Sequence, residues 1–364
     1  MRNSVGSAWG FVLAAGLLLS GDLDAGSLEP PGPPAPTMKT IEQSEPRIPI
    51  SSLPITISAP GSYYLTDDLT GVSGQHGITV SSAFVTIDLN GFALIGVAGS
   101  LNGIMAQVAP NEQLEIRNGV IRNWGSRGIL ATGSGIHAMD LRVTGNGSDG
   151  LSLGARAVVR DTTAIGNGAS GIAVGTGSTI IGCTATNNSS SGIVPGTFSL
   201  VSSSIGSSNA VNGFLLSTAS VATDCIAENS PTGFNLGTAS RASRSVARGN
   251  NVGFSGGSGV SVEDCVADTN FDDGIRLTSL GLARGNVARA NTNAGIHATG
   301  TGNRIEGNSS NANAVGIRVD GTSSLVVRNS TSGNNLEYQV AGGNEFAAVS
   351  TNPDTAGPWA NFDH

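Results

Sequence analysis

Six residues towards the C-terminal end of the chain carry side chains that bind anions or exchange protons. They are Asp272, Asp273, Arg276, His297, Arg318 and Asp320. Arginine binds carboxylates through two parallel hydrogen bonds, and histidine gains or loses a proton near neutral pH. Because Arg276, His297 and Arg318 follow one another at intervals of 21 residues, a structural repeat would place the six side chains on one face.

A glycine followed by Ile, Leu or Phe recurs through most of the sequence. The twelve glycines, spaced 20 to 26 residues apart, are Gly77, Gly103, Gly128, Gly150, Gly171, Gly192, Gly213, Gly233, Gly253, Gly274, Gly295 and Gly316. A full unit is visible at 161–174, where an alternating run leads to an Asn among small residues and then to Gly-Ile. Such regularity indicates a repeat architecture, in which neighbouring units bury a continuous core between them.

The composition of the repeat units predicts strands and turns. The units are rich in Val, Ile, Thr, Ser, Asn and Gly, whereas helical repeats need longer units and leucine-rich repeats need a spaced series of leucines. About 21 residues allow two or three short strands per turn, with Asn and Gly in the bends because both tolerate a positive φ. We predict an all-β parallel β-helix of about 12 rungs, on the order of 55–60 Å long.

The alternation of side chains along a strand assigns the residues after each glycine to two faces. We expect the first and third residues in the core and the second residue outside. The inward column includes Phe214, Phe234 and Phe254 on consecutive rungs, which we interpret as core packing. The outward column ends with the two arginines and the histidine named above.

The three cysteines occupy one column on alternate rungs. Cys183, Cys225 and Cys265 lie 8 or 9 residues before the next repeat glycine. Two rungs are separated by roughly 9.6 Å, which is too far for a disulfide, because a disulfide needs Cα atoms within about 7 Å. We predict three free, buried thiols, and no metal site, because three thiolates at this separation cannot meet one ion.

The N-terminal residues have the organisation of a secretory signal peptide, with Arg2 ahead of a short apolar run and small residues behind it. We predict a signal peptide at 1–25, a Pro-rich linker at 26–47, an N-terminal cap at 48–75, the β-helix at 76–336 and a C-terminal cap or tail at 337–364. The tail includes Trp359 and is apolar enough to cover the last rung. The apolar run is too short to span a bilayer, so membrane contact is expected only through the cleaved signal peptide. The predicted location is secreted, extracellular or periplasmic, and the predicted state is a monomer.

The charge of the chain argues against nucleic acid as a partner. Only 12% of the 364 residues are charged, and the net charge is −8. Phosphate binding needs clustered Lys and Arg, and an acidic, charge-poor surface does not supply them.

The repeating Asn-x-x-x-Gly-Ile-x-Val unit, over about 76–336, resembles the repeats of the pectin-lyase-like superfamily. The segment 55–91 and the Pro-Trp-Ala-Asn-Phe tail look like those of exported bacterial β-helix proteins. The resemblance implies a single-stranded right-handed parallel β-helix, a solenoid, with N- and C-terminal caps. It also implies frequent work on uronic-acid polysaccharides that lie along an outer groove, although one fold hosts many activities.

Most catalytic motifs of that superfamily are missing from this sequence. Asn270-Phe271-Asp272-Asp273 matches part of the polygalacturonase pattern, but the Gly-His-Gly and Arg-Ile-Lys motifs are absent. Lyases with a lysine base are disfavoured, because Lys39 is the only lysine and precedes the repeat. We expect no cofactor and no metal, while arginine-based lyases with calcium-binding carboxylates remain compatible with the sequence.

Three functions are compatible with these observations. The first is a polysaccharide-binding, surface or adhesive module, whose partner is a polysaccharide or cell-surface glycan. The second is a carbohydrate-active enzyme, a polysaccharide lyase, glycoside hydrolase or epimerase acting on acidic glycans, since carboxylates on different rungs could reach the roughly 6.5–9.5 Å separation of inverting glycosidases. The third is a structural rod whose charged face is simply solvated. Arginines paired with neighbouring aspartates favour the structural interpretation, and unpaired carboxylates converging in a cleft favour the enzyme.

Overall fold

A computed structural model describes residues 46–106 and 113–364 of the chain. The predicted signal peptide and nearly all of the predicted linker lie outside these residues. Arg47–His364 forms one unit, whose described residues form short β-strands and a single 3-10 helix at Pro353–Thr355. The described residues contain no helix with the length and apolar character needed to cross a membrane.

The strands of the described residues, numbered along the chain, are β1 (Ile48–Ile50), β2 (Ile55–Ile57), β3 (Gly61–Leu65), β4 (Leu69–Thr70), β5 (Ile78–Val80), β6 (Val85–Asp88), β7 (Ala93–Ile95), β8 (Ile104–Ala106), β9 (Leu114–Arg122), β10 (Ile129–Ala131), β11 (His137–Thr144), β12 (Leu151–Leu153), β13 (Val158–Arg160), β14 (Thr163–Ile165), β15 (Ile172–Val174), β16 (Thr179–Ile181), β17 (Thr184–Thr186), β18 (Ile193–Val194), β19 (Leu200–Ser202), β20 (Ile205–Ser207), β21 (Asn212–Leu216), β22 (Val221–Thr223), β23 (Ile226–Glu228), β24 (Thr232–Leu236), β25 (Arg241–Ser243), β26 (Val246–Arg248), β27 (Val252–Gly256), β28 (Ser261–Glu263), β29 (Val266–Asp268), β30 (Ile275–Leu277), β31 (Leu282–Arg284), β32 (Val287–Arg289), β33 (Ala294–Ala298), β34 (Arg304–Glu306), β35 (Ser309–Asn311), β36 (Val315–Val319), β37 (Leu325–Val327), β38 (Ser330–Ser332), β39 (Leu336–Val340), β40 (Glu345–Phe346), β41 (Val349–Ser350) and β42 (Asn361–Asp363).

The strands stack in three columns of parallel ladders, so that a regular turn of the chain contributes one strand to each column. The front sheet has 14 strands and runs from β2 to β39 through β5, β8, β10 and every third strand from β12 onwards. The side column contains every third strand from β13 to β37, and the rear column contains every third strand from β14 to β38. These two columns form one 28-stranded sheet, because the long strands β9 and β11 run through both.

The predicted fold class, a single-stranded right-handed parallel β-helix, is confirmed, but the described residues hold more turns than the twelve that the glycines mark. The two additional front strands are β2 and β39, in which Pro54 and Glu337 occupy the register of the glycine. The segment 48–75 contains β1 to β4, which continue the parallel ladders, and β40 and β42 extend them at the other end. That these segments close the ends of the solenoid stays a prediction.

Close approach between turns explains the recurring glycine. A Cβ at Gly171 would lie 2.8 Å from the carbonyl oxygen of Gly192 on the next turn and 2.8 Å from Nδ2 of Asn188. Both distances are shorter than real Cβ contacts. Glycine is therefore required at this position for space.

The inward column is continuous over the twelve turns that the repeat glycines mark. Every first residue after a repeat glycine is fully buried, from Ile78 to Ile317. The rings of Phe214, Phe234 and Phe254 stack with centroids 4.7 and 4.8 Å apart and planes 5° from parallel. The prediction that these phenylalanines pack in the core is confirmed.

Buried polar columns follow each of the three corners, and the column between the rear column and the front sheet is the most regular. Oδ1 of Asn188 accepts hydrogen bonds from the backbone N (3.1 Å) and Nδ2 (3.0 Å) of Asn167 on the turn before. Nδ2 of Asn188 donates to the carbonyl of Ala164 at 3.2 Å. The same pattern repeats with Asn209, Asn270 and Asn291. Each buried amide thereby satisfies backbone groups that water cannot reach.

The prediction that Asn and Gly supply the positive φ of the bends holds for most turns of this column, where the left-handed residue is the one before the buried amide, as at Gly166 (φ 62°) and Asn187 (φ 55°). On other turns a different residue takes this conformation. Examples are Ser208 (φ 53°) and Ala290 (φ 52°). The buried asparagines therefore serve through their hydrogen bonds.

The asparagine column between the rear column and the front sheet ends on an acidic residue. Asn334 has no further asparagine beneath it. Its backbone N donates instead to Oε1 of Glu337 at 3.0 Å, and its Nδ2 donates to Oε2 of the same carboxylate. Glu337 thus takes over the accepting role of the next turn.

The three cysteines are free and buried, as predicted. They alternate with Ser204 and Ser245 at the corner between the side and rear columns, whose hydroxyls accept from the backbone N of Cys183 and Cys225. Burial raises the pKa of Cys183 to about 11 and the pKa of Cys225 and Cys265 to about 12. The thiolate is therefore strongly disfavoured.

The substitution Asn188→Ala tests the amide column. It leaves the buried backbone N–H of Asn167 and the carbonyl of Ala164 without a partner, so we expect a loss of roughly 2–4 kcal/mol in unfolding free energy. Ser189→Ala, at the exposed neighbouring position, is the control and should change little. Chemical denaturation of both variants is the measurement, and equal stability of the two would refute the role given to the column.

Thiol titration tests the cysteine environment. We expect no reaction of the native protein with a water-soluble disulfide reagent at about pH 8, because the reactive thiolate is scarce and buried. All three thiols should react once the chain is unfolded in denaturant. Rapid reaction of any thiol in the native protein would contradict the structure.

Candidate functional site

The six residues predicted to share a face do so. Arg276, His297 and Arg318 lie in register on β30, β33 and β36, three neighbouring strands of the front sheet. Asp272 and Asp273 precede β30, and Asp320 follows β36. We call the surface formed by these six residues the C-terminal front face.

Asp273 is the buried centre of this face, with no solvent exposure. Its Oδ2 accepts from Nε of Arg276 at 2.7 Å and from Nδ1 of His297 at 2.8 Å. Its Oδ1 accepts from Nδ2 of Asn293 at 2.9 Å and from the backbone N of Ala294 at 3.2 Å. Four donors around one carboxylate offset the loss of its hydration.

His297 is held between two carboxylates on neighbouring turns and is 8% exposed. Nδ1 contacts Asp273, and Nε2 lies 2.9 Å from Oδ2 of Asp320. Burial alone would lower the pKa of His297, but the hydrogen bonds to Asp273 and Asp320 outweigh burial and raise it. The geometry therefore favours the imidazolium, which donates from both ring nitrogens.

The arginines extend this arrangement to the surface. Nη2 of Arg276 lies 2.6 Å from Oδ2 of Asp272, and Nε of Arg318 lies 2.9 Å from Oδ1 of Asp320. The six side chains form one hydrogen-bonded chain in the order Asp272, Arg276, Asp273, His297, Asp320, Arg318.

The charges of the chain stabilise one another. Burial raises the pKa of Asp273, but hydrogen bonds from His297 and Arg276 outweigh burial and lower it. The hydrogen bond from Arg318 is the main cause of the lowered pKa of Asp320. With His297 protonated, three positive groups balance three carboxylates, and the face is locally neutral.

Each of the three carboxylates has a cationic partner, and this limits the chemistry. A general acid or base needs a group that is free to exchange a proton with a ligand. Here both ring nitrogens of His297 and all three aspartates are engaged. Pairing of this kind is the outcome that favours the structural interpretation over an enzyme.

Two residues of the face were not identified from the sequence. Asn293 donates through Nδ2 to Asp272 (3.0 Å) and to Asp273 (2.9 Å). It occupies the same repeat position as Asp272, so an alignment of the units would have indicated it. Phe271 is 69% exposed directly beside Asp272, and an aromatic residue in a turn position is the signal that would have drawn attention to it.

No group of three or more His, Cys, Asp and Glu side chains within 46–106 and 113–364 is arranged to hold a metal ion. On the C-terminal front face the reason is visible, because the carboxylate oxygens of Asp273 and Asp320 already accept from Arg and His donors.

Comparison with known proteins agrees with the fold. Residues 102–252 match the family model described as "Right handed beta helix region". No curated protein is significantly similar to the chain in sequence. The parallel three-column turns and the matched segment agree that the fold of this chain is a right-handed parallel β-helix.

Several solved structures are similar to the chain at low identity. The A-module of a mannuronan C-5 epimerase from Azotobacter vinelandii is 15% identical, with a TM-score of 0.46, and the match covers 82% of this chain and 89% of that one. The catalytic domain of an α-1,3-glucanase is 12% identical, with a TM-score of 0.39 and coverage of 82% and 64%. The pectate lyase Pel9A is 14% identical, with a TM-score of 0.30 and coverage of 84% and 70%. These similarities concern the fold and not the activity.

The pH dependence of stability tests the Asp273–His297–Asp320 arrangement. The pKa of His297 is raised in the folded protein, so protonation of His297 stabilises the fold. This stabilisation is complete below the pKa of histidine in the unfolded chain, about 6.5, and is lost as the pH rises through the folded pKa. The pKa of Asp273 is lowered in the folded protein, so its stabilisation is present above the unfolded pKa of about 3.9 and is lost as the pH falls through the folded pKa.

We therefore expect His297→Gln to lower the unfolding free energy by roughly 1–3 kcal/mol, most strongly between about pH 4 and 6.5 and less at alkaline pH. Denaturant unfolding across a pH series is the measurement. His137→Gln, at an exposed position in β11, is the control. A loss that grows with rising pH would contradict a protonated His297.

Proposed function

We propose that the protein is an exported, polysaccharide-binding β-helix, and that the glycan lies across the C-terminal front face. The observation that carries this proposal is the ordered row of polar side chains over three turns, with exposed Phe271 at its edge. Export is inferred from the signal-peptide pattern at 1–25. The resemblance to pectin-lyase-like proteins supports polysaccharide as the ligand class.

The row suits an extended polymer of sugar rings. Consecutive rungs are about 4.8 Å apart, which is comparable to the advance of one pyranose unit along an extended glycan. The hydrogen bonds of Arg318 to its neighbours use only Nε among the described contacts, so its terminal N–H groups remain for ligand hydroxyl or carboxylate oxygens. Pairing with Asp272, Asp273 and Asp320 holds both arginines in place before binding, which lowers the entropy lost on complex formation.

Binding is preferred to catalysis because of the pairing. A lyase or hydrolase on this face would have to break an ion pair to release a base or an acid. A purely solvated face is the simpler alternative, but it does not account for the carboxylate of Asp273, which is completely buried and accepts from four donors. Phe271, which precedes Asp272 in the chain, is 69% exposed, and aromatic side chains are enriched at binding surfaces.

The double substitution Arg276→Gln with Arg318→Gln tests the proposal. We expect the variant to bind polysaccharide about tenfold more weakly than the wild type, because the outward donors are shortened and uncharged. The measurement is affinity electrophoresis against a panel of acidic and neutral polysaccharides. Arg276 also contacts buried Asp273, so the thermal midpoint must be recorded, and a modest decrease is expected.

The matched control is Arg248→Gln with Arg289→Gln. These arginines pair with Glu228 and Asp268 on the rear column, so the change in charge is identical on another face. Equal retention of the two double variants would remove the C-terminal front face as the binding site. Release of reducing or unsaturated sugar ends by the wild type would show an enzyme instead of a binding protein.

A further inference from the structure

A hollow of about 380 Å³ opens on the side column at the C-terminal end, away from the front sheet. Apolar side chains of Leu325 and Val327 line it together with the rings of Phe346 and Trp359. Arg304 and Glu345 are its charged members. The volume lies within the range of small-ligand sites.

Trp359 is held in an exposed position by specific contacts. Its side chain is 53% exposed, whereas Trp124 is 1% exposed within the core. The guanidinium carbon of Arg328 lies 4.0 Å from the centre of the Trp359 ring. Nε of Arg328 donates to the carbonyl of Pro358 at 3.1 Å, and Nη1 donates to Glu306 at 3.2 Å. The indole is thus fixed at the surface and is not a loose end of the tail.

The second ring is fixed in a similar way. The centroid of Phe346 lies 5.3 Å from that of Tyr338, with the rings tilted by 48°. Tyr338 is anchored through its hydroxyl, whose one proton is shared between the carbonyls of Asn329 and Phe362, both at 3.1 Å. Two aromatic side chains therefore border the hollow in defined positions, each 38% exposed or more.

The charges of the hollow select the ligand. Nε of Arg304 is engaged with Glu306 at 2.7 Å. The carboxylate of Glu345 has no hydrogen-bond or ion-pair partner within the part of the chain that the structure describes. An uncommitted carboxylate accepts hydrogen bonds from hydroxyl groups and repels an anionic ligand. The apolar face of a sugar ring packs on an indole, and its hydroxyls point to the sides.

We propose that this hollow binds a neutral pyranose unit, with the sugar ring on Trp359 and a hydroxyl group donating to Glu345. The site lies on a different column from the C-terminal front face and shares with the proposed function only its ligand class. It differs in selectivity, because Glu345 disfavours uronate units.

Tryptophan quenching and affinity measurements test this site. The probes are hexasaccharides of β-1,4-glucan, α-1,4-glucan and β-1,4-mannan, with hexagalacturonate as the anionic comparison. We expect at least one neutral probe to protect Trp359 from acrylamide quenching. Trp359→Ala should weaken the binding of that probe about tenfold or more, and Glu345→Gln should weaken it less while improving relative binding of hexagalacturonate.

The control is Phe198→Ala, which removes another exposed ring, 68% exposed compared with 53% for Trp359, from a distant corner. The Arg276→Gln, Arg318→Gln variant should retain the fluorescence response, so failure of the front-face proposal would leave this result standing. The proposal is overturned if no neutral probe protects Trp359, or if Trp359→Ala binds all probes like the wild type with an unchanged thermal midpoint. It is also overturned if Trp359→Ala converts a dimer to a monomer in sedimentation, since the hollow would then receive a second copy of the chain.

Discussion

The direct stacking of each turn on the next is the constraint on which the rest of the molecule depends. Parallel strands on neighbouring turns lie about 4.8 Å apart, so backbone at a corner is covered by backbone of the adjacent turn. At Gly171 this leaves no room for a Cβ, and at Asn188 it leaves polar groups that only another buried amide can satisfy. Glycine, buried asparagine and stacked phenylalanine are three responses to the same short spacing.

The same constraint creates the C-terminal front face. Outward side chains at equivalent repeat positions must be neighbours, and this brings Arg276, His297 and Arg318 into register. Asp273 lies just before a repeat glycine, where the corner encloses its side chain completely. A carboxylate buried there is stable only with several donors, and the neighbouring turn supplies His297 and Asn293. The ordering of the face is therefore a consequence of one enclosed charge.

The periodicity of the sequence was sufficient to predict the structural features that recur on every turn. It was insufficient for features that occur at a single turn. The inward column, the free cysteines and the proximity of the six polar residues follow from spacing alone. The extra turns were not predicted, because Pro54 and Glu337 stand in place of the glycine. The exposed position of Trp359 depends on a contact with Arg328, 31 positions earlier in the chain. Such pairings between the tail and a particular turn leave no periodic signal.

Glu337 also bears on how molecules of this kind avoid joining end to end. An exposed terminal strand is a template for another chain, and the two ends of a parallel solenoid present complementary edges. The backbone N–H and Nδ2 of Asn334 already donate to the carboxylate of Glu337. An asparagine of a second molecule, stacked at this end, would find both donors occupied and would meet a negative charge. A second molecule stacked on this end would have to bury that charge, which is costly without a partner.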